Sequence, residues 1–548
     1  MKPLILAKFD VKPRIVQLPD GALMGFFVRT VADAQEVAAY SSRDGGCSWK
    51  GPDKLFPLPS EPGVWGGTEC LVDRDGEVHV FLLNDAWSGV FREVSSEAEK
   101  RRLRPRERAL DIWHVKSARR GRSWREPRRI WEGYTGALNS VIQMRSGRIL
   151  LPFSFLTRRT WEQRGEGLDA FWFVGAFEST LVYSDDAGET WHESPDAVKV
   201  QTPDIGGAYG ACEPVVLELA DGRVWMLIRT QLGRFYESFS PDGARWSQPG
   251  PSRLINSDSP AGLCRLRDGR IVLLWNCCLR FPYAYGGRHV LHAAVSADDG
   301  ATWRGCREVA RDPLRGEPPP PHGDHGTAYP FPTALADGSA IFSTGQGEGR
   351  IAIVRLDPDW LCETQQADDF SNGLDEWSVF GTRGVDLVPH PDRKGAQALR
   401  IHRCDGEFPA TAVWNFPLGA RGRVDVQMRL LSPGFGGAAI MLTDHFSVPF
   451  DPEDELNALY VLRIGSGGKL PDGTTLSADT SHEVSLRWDC ATRDCRAVVN
   501  GRTAAVLPLL RTGEGVCYLR LRSTAASAGE AGLLVESVQA DVGAAGRS

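Results

Sequence analysis

The chain has no apolar run of the roughly twenty residues that a membrane-spanning helix requires, so no membrane partner is expected. It has no excess of positive charge either. Its 63 Lys and Arg face 70 Asp and Glu, a formal charge of −7, which removes the electrostatic footprint of a nucleic-acid binder. Its 12 cysteines are scattered without metal-ligand pairing, and adjacent Cys277 and Cys278 cannot readily bridge each other. Buried free thiols are the expectation, with Cys490 and Cys495, on either side of a turn, the candidate disulfide in an oxidising compartment. No metal and no cofactor is expected. The first residues, "MKPLILAKFDVKPRIVQLPDG", lack a full apolar signal core and a cleavage site. A cytoplasmic location is expected, or secretion if a leader was removed.

At 548 residues the chain is too long for one ordinary core, and two or more domains are expected. Gly 59 and Pro 35 announce many turns. Two interleaved repeats organise them. The first is an apolar strand, an Asp-Gly turn or its equivalent, and a second apolar strand. It runs through "IVQLPDGALMGFF", "CLVDRDGEVHVFLL", "VIQMRSGRILLPF", "VVLELADGRVWMLI", "GLCRLRDGRIVLLW" and "PTALADGSAIFS". The second is Ser-x-Asp-x-Gly-x-x-Trp: "SRDGGCSW", "SDDAGETW" and "SADDGATW", with "SARRGRSW" carrying Arg119 in place of Asp and "SPDGARW" one residue short. In this turn the Asp carboxylate can accept backbone N–H bonds, Gly permits positive φ, and Trp plugs the turn into neighbouring strands. It is structural rather than catalytic.

Two hairpins per repeat, four strands per unit and a period of about 60 residues over six units predict an all-β, six-bladed β-propeller at residues 1–360. The repeat spacing stretches at "WSGVFREVSSEAEKRRLRPRERALD", expected to be helical, and at "FLTRRTWEQRGEGLDAFWFVGAF". Each reads as a solvated excursion or as a lid or oligomer contact, and a homo-oligomer stays open. After "LDPDWLCETQQ" the repeats stop. Short alternating strands between Gly and Asp turns then predict a second all-β domain at 368–543, a lectin-like jelly-roll β-sandwich.

In "CEPVVLELADGRVWMLIRT" a hairpin returns Arg229 to the side of Glu213. By itself this pair is a structural ion pair or one wall of a site. Arg14, Glu213 and Tyr329 lie six to eight residues before their Asp-Gly turns, and the same place in the other units gives Glu69, Asn139 and Asp258 or its neighbours. Innermost propeller strands converge at one end, so these starts form a ring of polar groups that blade packing alone does not require.

The Ser-x-Asp-x-Gly-x-x-Trp turn is the Asp-box, and residues 1 to about 358 resemble the sialidase (neuraminidase) superfamily. The resemblance implies that an arginine triad grips a sugar carboxylate. "PRIVQLPDG" supplies Arg14, with Val16 where the family has proline, the Glu213 hairpin supplies Arg229, and "GGRHVLHAAVSADDGATW" supplies Arg288. It implies Tyr329, in "AYPFPTALADG", as nucleophile, with Glu213 as its base. It places the acid/base on "RTVADAQEVAAYSSRDGG", at Asp33 or, second, Glu36. Glu69 joins the substrate-binding ring.

The chemistry is coherent. Arginines recognise a planar carboxylate through charge-assisted forks. A tyrosine hydroxyl also avoids the repulsion that an anionic nucleophile would meet at an anomeric carbon bearing that carboxylate. The resemblance therefore implies a retaining exo-glycosidase that removes a terminal acidic sugar, sialic acid by default, from a glycan, with the C-terminal domain supplying no catalytic group. A sialidase-like propeller acting on another glycan by hydrolysis or lyase chemistry, and a non-catalytic carbohydrate-binding propeller, are the alternatives. Three weaker features stand beside this. "HGDHG" (His322, Asp324, His325) reads as a loop rather than a metal site, and "GQGEGR" runs into a strand rather than a helix and so is not a nucleotide loop. Trp65 reads equally as a sugar platform or as packing.

Overall fold

The structure is a computed structural model that describes residues 2–60, 63–85, 110–156, 177–202, 210–279, 287–317, 325–347, 349–380, 383–404 and 406–543. The bulk of both excursions, with His322 and Asp324, lies outside the described residues. The chain forms two compact units. The first comprises Met1–Asn276, Ser296–Thr302 and Asp324–Pro358, and the second Cys277–Val295, Trp303–Gly323 and Asp359–Ser548.

In the first unit every inner hairpin closes as its turn chemistry dictates. Gly21, Gly76, Gly222, Gly269 and Gly338 take positive φ, between 82° and 92°, a conformation that costs a Cβ-bearing residue. In four of these turns the preceding Asp accepts the N–H two residues on, as Asp221 Oδ1 does from Arg223 at 2.9 Å and Asp268 Oδ1 from Arg270 at 3.0 Å. At Gly76 it is Asp73 Oδ1 that accepts, from Glu77 N–H at 2.8 Å.

Four antiparallel sheets follow in chain order, each listing its strands from inner to outer. They are Arg14–Gln17, Leu23–Val31, Ala34–Ser42 and Lys50–Pro57; Val64–Val72, Val78–Asp85, Leu110–Ala118 and Arg128–Trp131; Ile142–Gln143, Ile149–Leu156, Phe177–Ser184 and His192–Glu193; and Cys212–Glu218, Val224–Arg229, Arg234–Ser240 and Gly250–Ile255. The fifth repeat gives this unit the hairpin Gly262–Arg265 with Ile271–Trp275. The sixth sheet runs Phe331–Ala334, Ala340–Thr344 and Ala352–Leu356, and the N-terminal strand Leu4–Lys8 completes it by pairing with Ala352–Leu356.

The innermost strand of the first sheet touches those of both the second and the sixth, and those of the fourth, fifth and sixth sheets pack on one another in turn. Between the second and third sheets Phe81, Leu83, Leu138, Leu151 and Phe153 form one apolar cluster. The sheets thus build a β-propeller, whose last sheet combines the N-terminal strand with Phe331–Leu356.

The outer turns behave as their composition predicts. In the first Asp-box, Asp44 Oδ1 accepts Ser48 N–H at 2.9 Å, Ser42 Oγ accepts Gly46 N–H at 2.9 Å, and Trp49 Nε1 donates to Gly46 O at 2.9 Å. Asp186 repeats the pattern with Thr190. The box that lacks Asp is repaired from elsewhere. Glu77, beside the Asp-Gly turn of the same blade, accepts from Ser117 Oγ at 2.6 Å and from Arg120 N–H at 3.0 Å.

Hydrogen bonds from Ser48 hold the Asp44 carboxyl down at about 2, and those from Thr190 hold Asp186 at about 2. An unfolded Asp titrates near 3.9, so these turns stabilise the fold fully above about pH 4 and lose that contribution as pH falls toward about 2. Thermal melts of the full chain across this range should show a falling Tm, with a shallower slope in Asp186→Asn.

In the second unit two antiparallel sheets face each other. One carries Val385–Pro389, Gln397–Ile401, Leu533–Asp541, Arg421–Leu430, Ser481–Asp489, Asp494–Val499 and Arg502–Pro508 in that order. The other carries Trp377–Val379, Thr411–Gly419, Val516–Ser523, Ala438–Thr443 and Tyr460–Ile464. Trp414, Ile440 and Leu519 from the second meet Val426, Leu486 and Val535 from the first in one core, as the period-two alternation of both predicts.

Segments from the propeller repeats belong to this unit. Asn415 Oδ1 accepts Glu308 N–H at 2.9 Å, Tyr518 Oη donates to Glu308 Oε1 at 2.7 Å, and His292 Nε2 lies 2.6 Å from Tyr518 Oη. A cut near residue 362 therefore divides a compact unit instead of separating two. Tyr518→Phe leaves the buried Glu308 and His292 each short of a partner and should cost about 1–3 kcal/mol, measurable by denaturant unfolding. All twelve cysteines are free, Cys490 and Cys495 included, and eight are buried. The disulfide expected of that pair in an oxidising compartment is absent.

Candidate functional site

Two of the ring residues sit on left-handed backbone. Glu213 has φ 43° and Tyr329 φ 58°, where a non-glycine residue costs on the order of 1–3 kcal/mol and persists only if its surroundings impose it. At Glu213 the register against Val224–Arg229 slips between Cys212 and Val215. This bulge re-aims one side chain without disturbing the rest of the strand. Ser154 Oγ accepts the Glu213 N–H at 3.1 Å. Gly136 backs that contact closely, since a Cβ there would fall 2.6 Å from Ser154 Oγ. At Tyr329 the carbonyls of Ala328 and of Tyr329 itself accept from Lys12 Nζ at 3.1 and 3.4 Å.

These backbones bring the fourth and sixth blades into side-chain contact. Tyr329 Oη donates to Glu213 Oε1 at 2.9 Å. Arg229 Nη1 donates to Tyr329 Oη at 3.1 Å and to Glu213 Oε2. The other side of the guanidinium is held too. Nε and Nη2 both reach Asp258 Oδ1, at 2.8 and 2.7 Å, while Asp258 Oδ2 accepts from Gln231 Nε2 at 3.0 Å. The hairpin explains why Glu213 and Arg229 meet, because Cys212 pairs with Arg229 in its register. Tyr329 joins that pair through its hydrogen bonds with both residues.

Arg14 and Glu69 form a second, drier pair. Arg14 Nη2 donates to Leu138 O at 3.0 Å, its Nε lies 3.4 Å from Glu69 Oε2, and its guanidinium lies over the Phe331 ring. Burial pulls the Arg14 guanidinium down to about 10 despite the neighbouring carboxylate, and it pushes the Glu69 carboxyl up. For both groups loss of water outweighs mutual attraction, the ordinary balance in a buried ion pair. Glu69 Oε1 accepts the Cys70 N–H at 2.9 Å, and Glu69 closes a register slip in its strand, as Glu213 lies within one in its own.

The structure thus brings together Tyr329, Glu213, Arg229 and Asp258 in one cluster, and Arg14 with Glu69 in another, all in the first unit. Arg288 is buried and falls in the segment counted with the second unit. Asp33 occupies the tip of the hairpin between Leu23–Val31 and Ala34–Ser42. With Ala32 it has positive φ, 67° and 47°, as a two-residue turn of this kind requires. Its side chain is exposed.

Glu36 is committed elsewhere. Arg29 Nη2 lies 2.7 Å and Lys54 Nζ 3.1 Å from its carboxylate, and the Arg29 hydrogen bond is the foremost of those that lower its pKa. Such a carboxylate is a poor proton donor. Asn139 donates to Ala137 O at 3.0 Å. Trp65 is core, buried against Trp113 with ring centroids 5.1 Å apart, so the platform alternative falls away. The "GQGEGR" stretch joins the antiparallel strands Ala340–Thr344 and Ala352–Leu356.

Lys12, Ser154 and Gln231 were not foreseen. Only Lys12 left a signal, a basic residue two positions before Arg14. Among the described residues no three His, Cys, Asp or Glu side chains are placed to hold a metal ion.

A family model described as a BNR repeat-like domain matches residues 21–342, more than half of the chain. The protein belongs to the BNR repeat-like family. The Asp-box repeat read from the turns is thereby borne out. No curated protein sequence matches this BNR repeat-like chain.

Among solved structures it is similar to a protein of unknown function from Dyadobacter fermentans, at 17% identity over 65% of this chain and 97% of that one, with a TM-score of 0.46. A Hadza microbial sialidase matches at 17% identity over 64% and 65% of the two chains, TM-score 0.45. Trypanosoma rangeli sialidase matches at 14% over 98% and 91%, TM-score 0.40. At these levels neither activity nor substrate passes to the BNR repeat-like chain.

Proposed function

We propose that this protein is a sialidase-like retaining glycosidase that removes a terminal acidic sugar, sialic acid by default, from a glycan. The observation that carries the reading is the 2.9 Å bond from Tyr329 Oη to Glu213 Oε1, with Arg229 bonded to both residues. Tyrosine at its ordinary pKa near 10 is a weak nucleophile at neutral pH, and a carboxylate in direct contact supplies the missing base. Arg229 orients the two.

In the first step Tyr329 Oη bonds to the anomeric carbon as Glu213 takes its proton. The glycosidic C–O bond breaks, and the leaving oxygen takes a proton from the acid, the role assigned to Asp33. Water then attacks the tyrosyl-sugar bond with the proton transfers reversed, so the anomeric configuration is retained. The left-handed backbone of Glu213 and Tyr329 supports this reading, because strain of this kind concentrates where a site demands it.

The test is a panel of fluorogenic α-sialosides, uronides and neutral glycosides offered to the full chain. Cleavage of the sialosides, with the retained anomer seen first by NMR, is expected. Turnover of neutral glycosides alone would remove the acidic-sugar reading, and no turnover of any substrate would favour a carbohydrate-binding propeller.

A further inference from the structure

Arg229 is gripped by two carboxylates at once. Glu213 takes Nη1 together with Tyr329, and Asp258 takes both Nε and Nη2 through one oxygen, at 2.8 and 2.7 Å. The Nε–Nη2 edge is the fork with which an arginine binds a carboxylate. A substrate carboxylate arriving at Arg229 therefore finds that fork already answered by a protein carboxylate. Electrostatics point the same way. A third carboxylate at Arg229 would meet repulsion from both Glu213 and Asp258 while Asp258 keeps its place.

We propose that Asp258 is a specificity-determining residue that competes with the carboxylate of an acidic sugar for Arg229. The inference rests on the acidic-sugar reading above and adds a residue that sets how strongly such a sugar is held.

Three features fit that role. The Asp258 side chain is more exposed than that of Arg229, 17% against 7%, so it is the partner within reach of an incoming group. It stands in the bend between Gly250–Ile255 and Gly262–Arg265, outside both strands, where a side chain can shift without breaking a ladder. Its second oxygen is held by Gln231 at 3.0 Å, which offers an anchor once Arg229 is released. An acidic sugar must displace Asp258 from the fork, and a neutral sugar has no such need. Asp258 thus lowers affinity for acids selectively, while Glu213 stays bonded to Arg229 throughout.

Isothermal titration of the full chain with N-acetylneuraminic acid and with its methyl ester tests this in wild type, Asp258→Asn and Asp258→Ala. The asparagine keeps an oxygen for Arg229 and removes the charge. The alanine removes the competitor altogether. The acid should bind about tenfold tighter to both variants, one decade of dissociation constant, and ester binding should stay within about twofold of wild type. Thermal melts near wild type establish that each variant is folded. Acid affinity unchanged or weakened in both folded variants overturns the proposal and leaves the acidic-sugar reading standing. Binding of neither acid nor ester by any of the three overturns that reading, and the proposal with it.

Discussion

Tyr329→Phe is expected to abolish turnover, by roughly 10⁴-fold or more, with the fold and substrate affinity largely kept. The substitution removes one oxygen and nothing else. The Tyr329 side chain is partly exposed, so the change opens no large void. Glu213 keeps Arg229 as its partner, and Arg229 keeps Asp258, so no buried charge is stranded. The expected stability change is therefore about that of one hydrogen bond, near 1 kcal/mol. Loss of kcat with KM within a few-fold of wild type, measured on whichever glycoside the panel identifies, is the predicted signature.

Glu213→Gln should lower kcat by roughly 10²–10⁴-fold, the span usual for a lost general base. Two effects combine. The amide cannot take the Tyr329 proton, and Arg229 turns wholly toward Asp258, which loosens the geometry of the tyrosine. The second effect predicts some rise in KM as well, which separates this variant from Tyr329→Phe. Asp258 spares the folded state the full cost of breaking a buried ion pair, about 3–5 kcal/mol where no other partner remains. A Glu213→Gln protein that unfolds outright would show that Asp258 does not compensate.

The blades were legible because their information is local. Asp-Gly turns and Asp-boxes state their own hydrogen bonds within a few residues, and their repetition states the architecture. The contact of Glu213 with Arg229 was legible for the same reason, since a hairpin of known turn type has a known register. That with Tyr329 needed the family resemblance, because nothing local joins residue 213 to residue 329.

What escaped depends on contacts distant in sequence. Glu77 replaces the missing Asp of the "SARRGRSW" turn from 40 residues away, and no pattern in the turn announces it. Asp258 was visible as one polar residue in the ring, but its hold on Arg229 follows from a bend whose course no motif fixes. The C-terminal boundary was read from where the repeats stop. The strands Val290–Ser296 and Arg304–Arg311 keep repeat chemistry, and their burial against Tyr518 and Asn415 could not be seen in alternation alone.

The central claim is that Tyr329 is the nucleophile. Incubation of the full chain with 2,3-difluorosialic acid, in which fluorine destabilises the transition state for breakdown of a glycosyl-enzyme, followed by peptide mass mapping, tests it most directly. The account predicts a stoichiometric sugar adduct on the peptide containing Tyr329, and none in Tyr329→Phe. An adduct on Glu213 or Asp258, or an unmodified protein that still hydrolyses sialosides with retention, would contradict it.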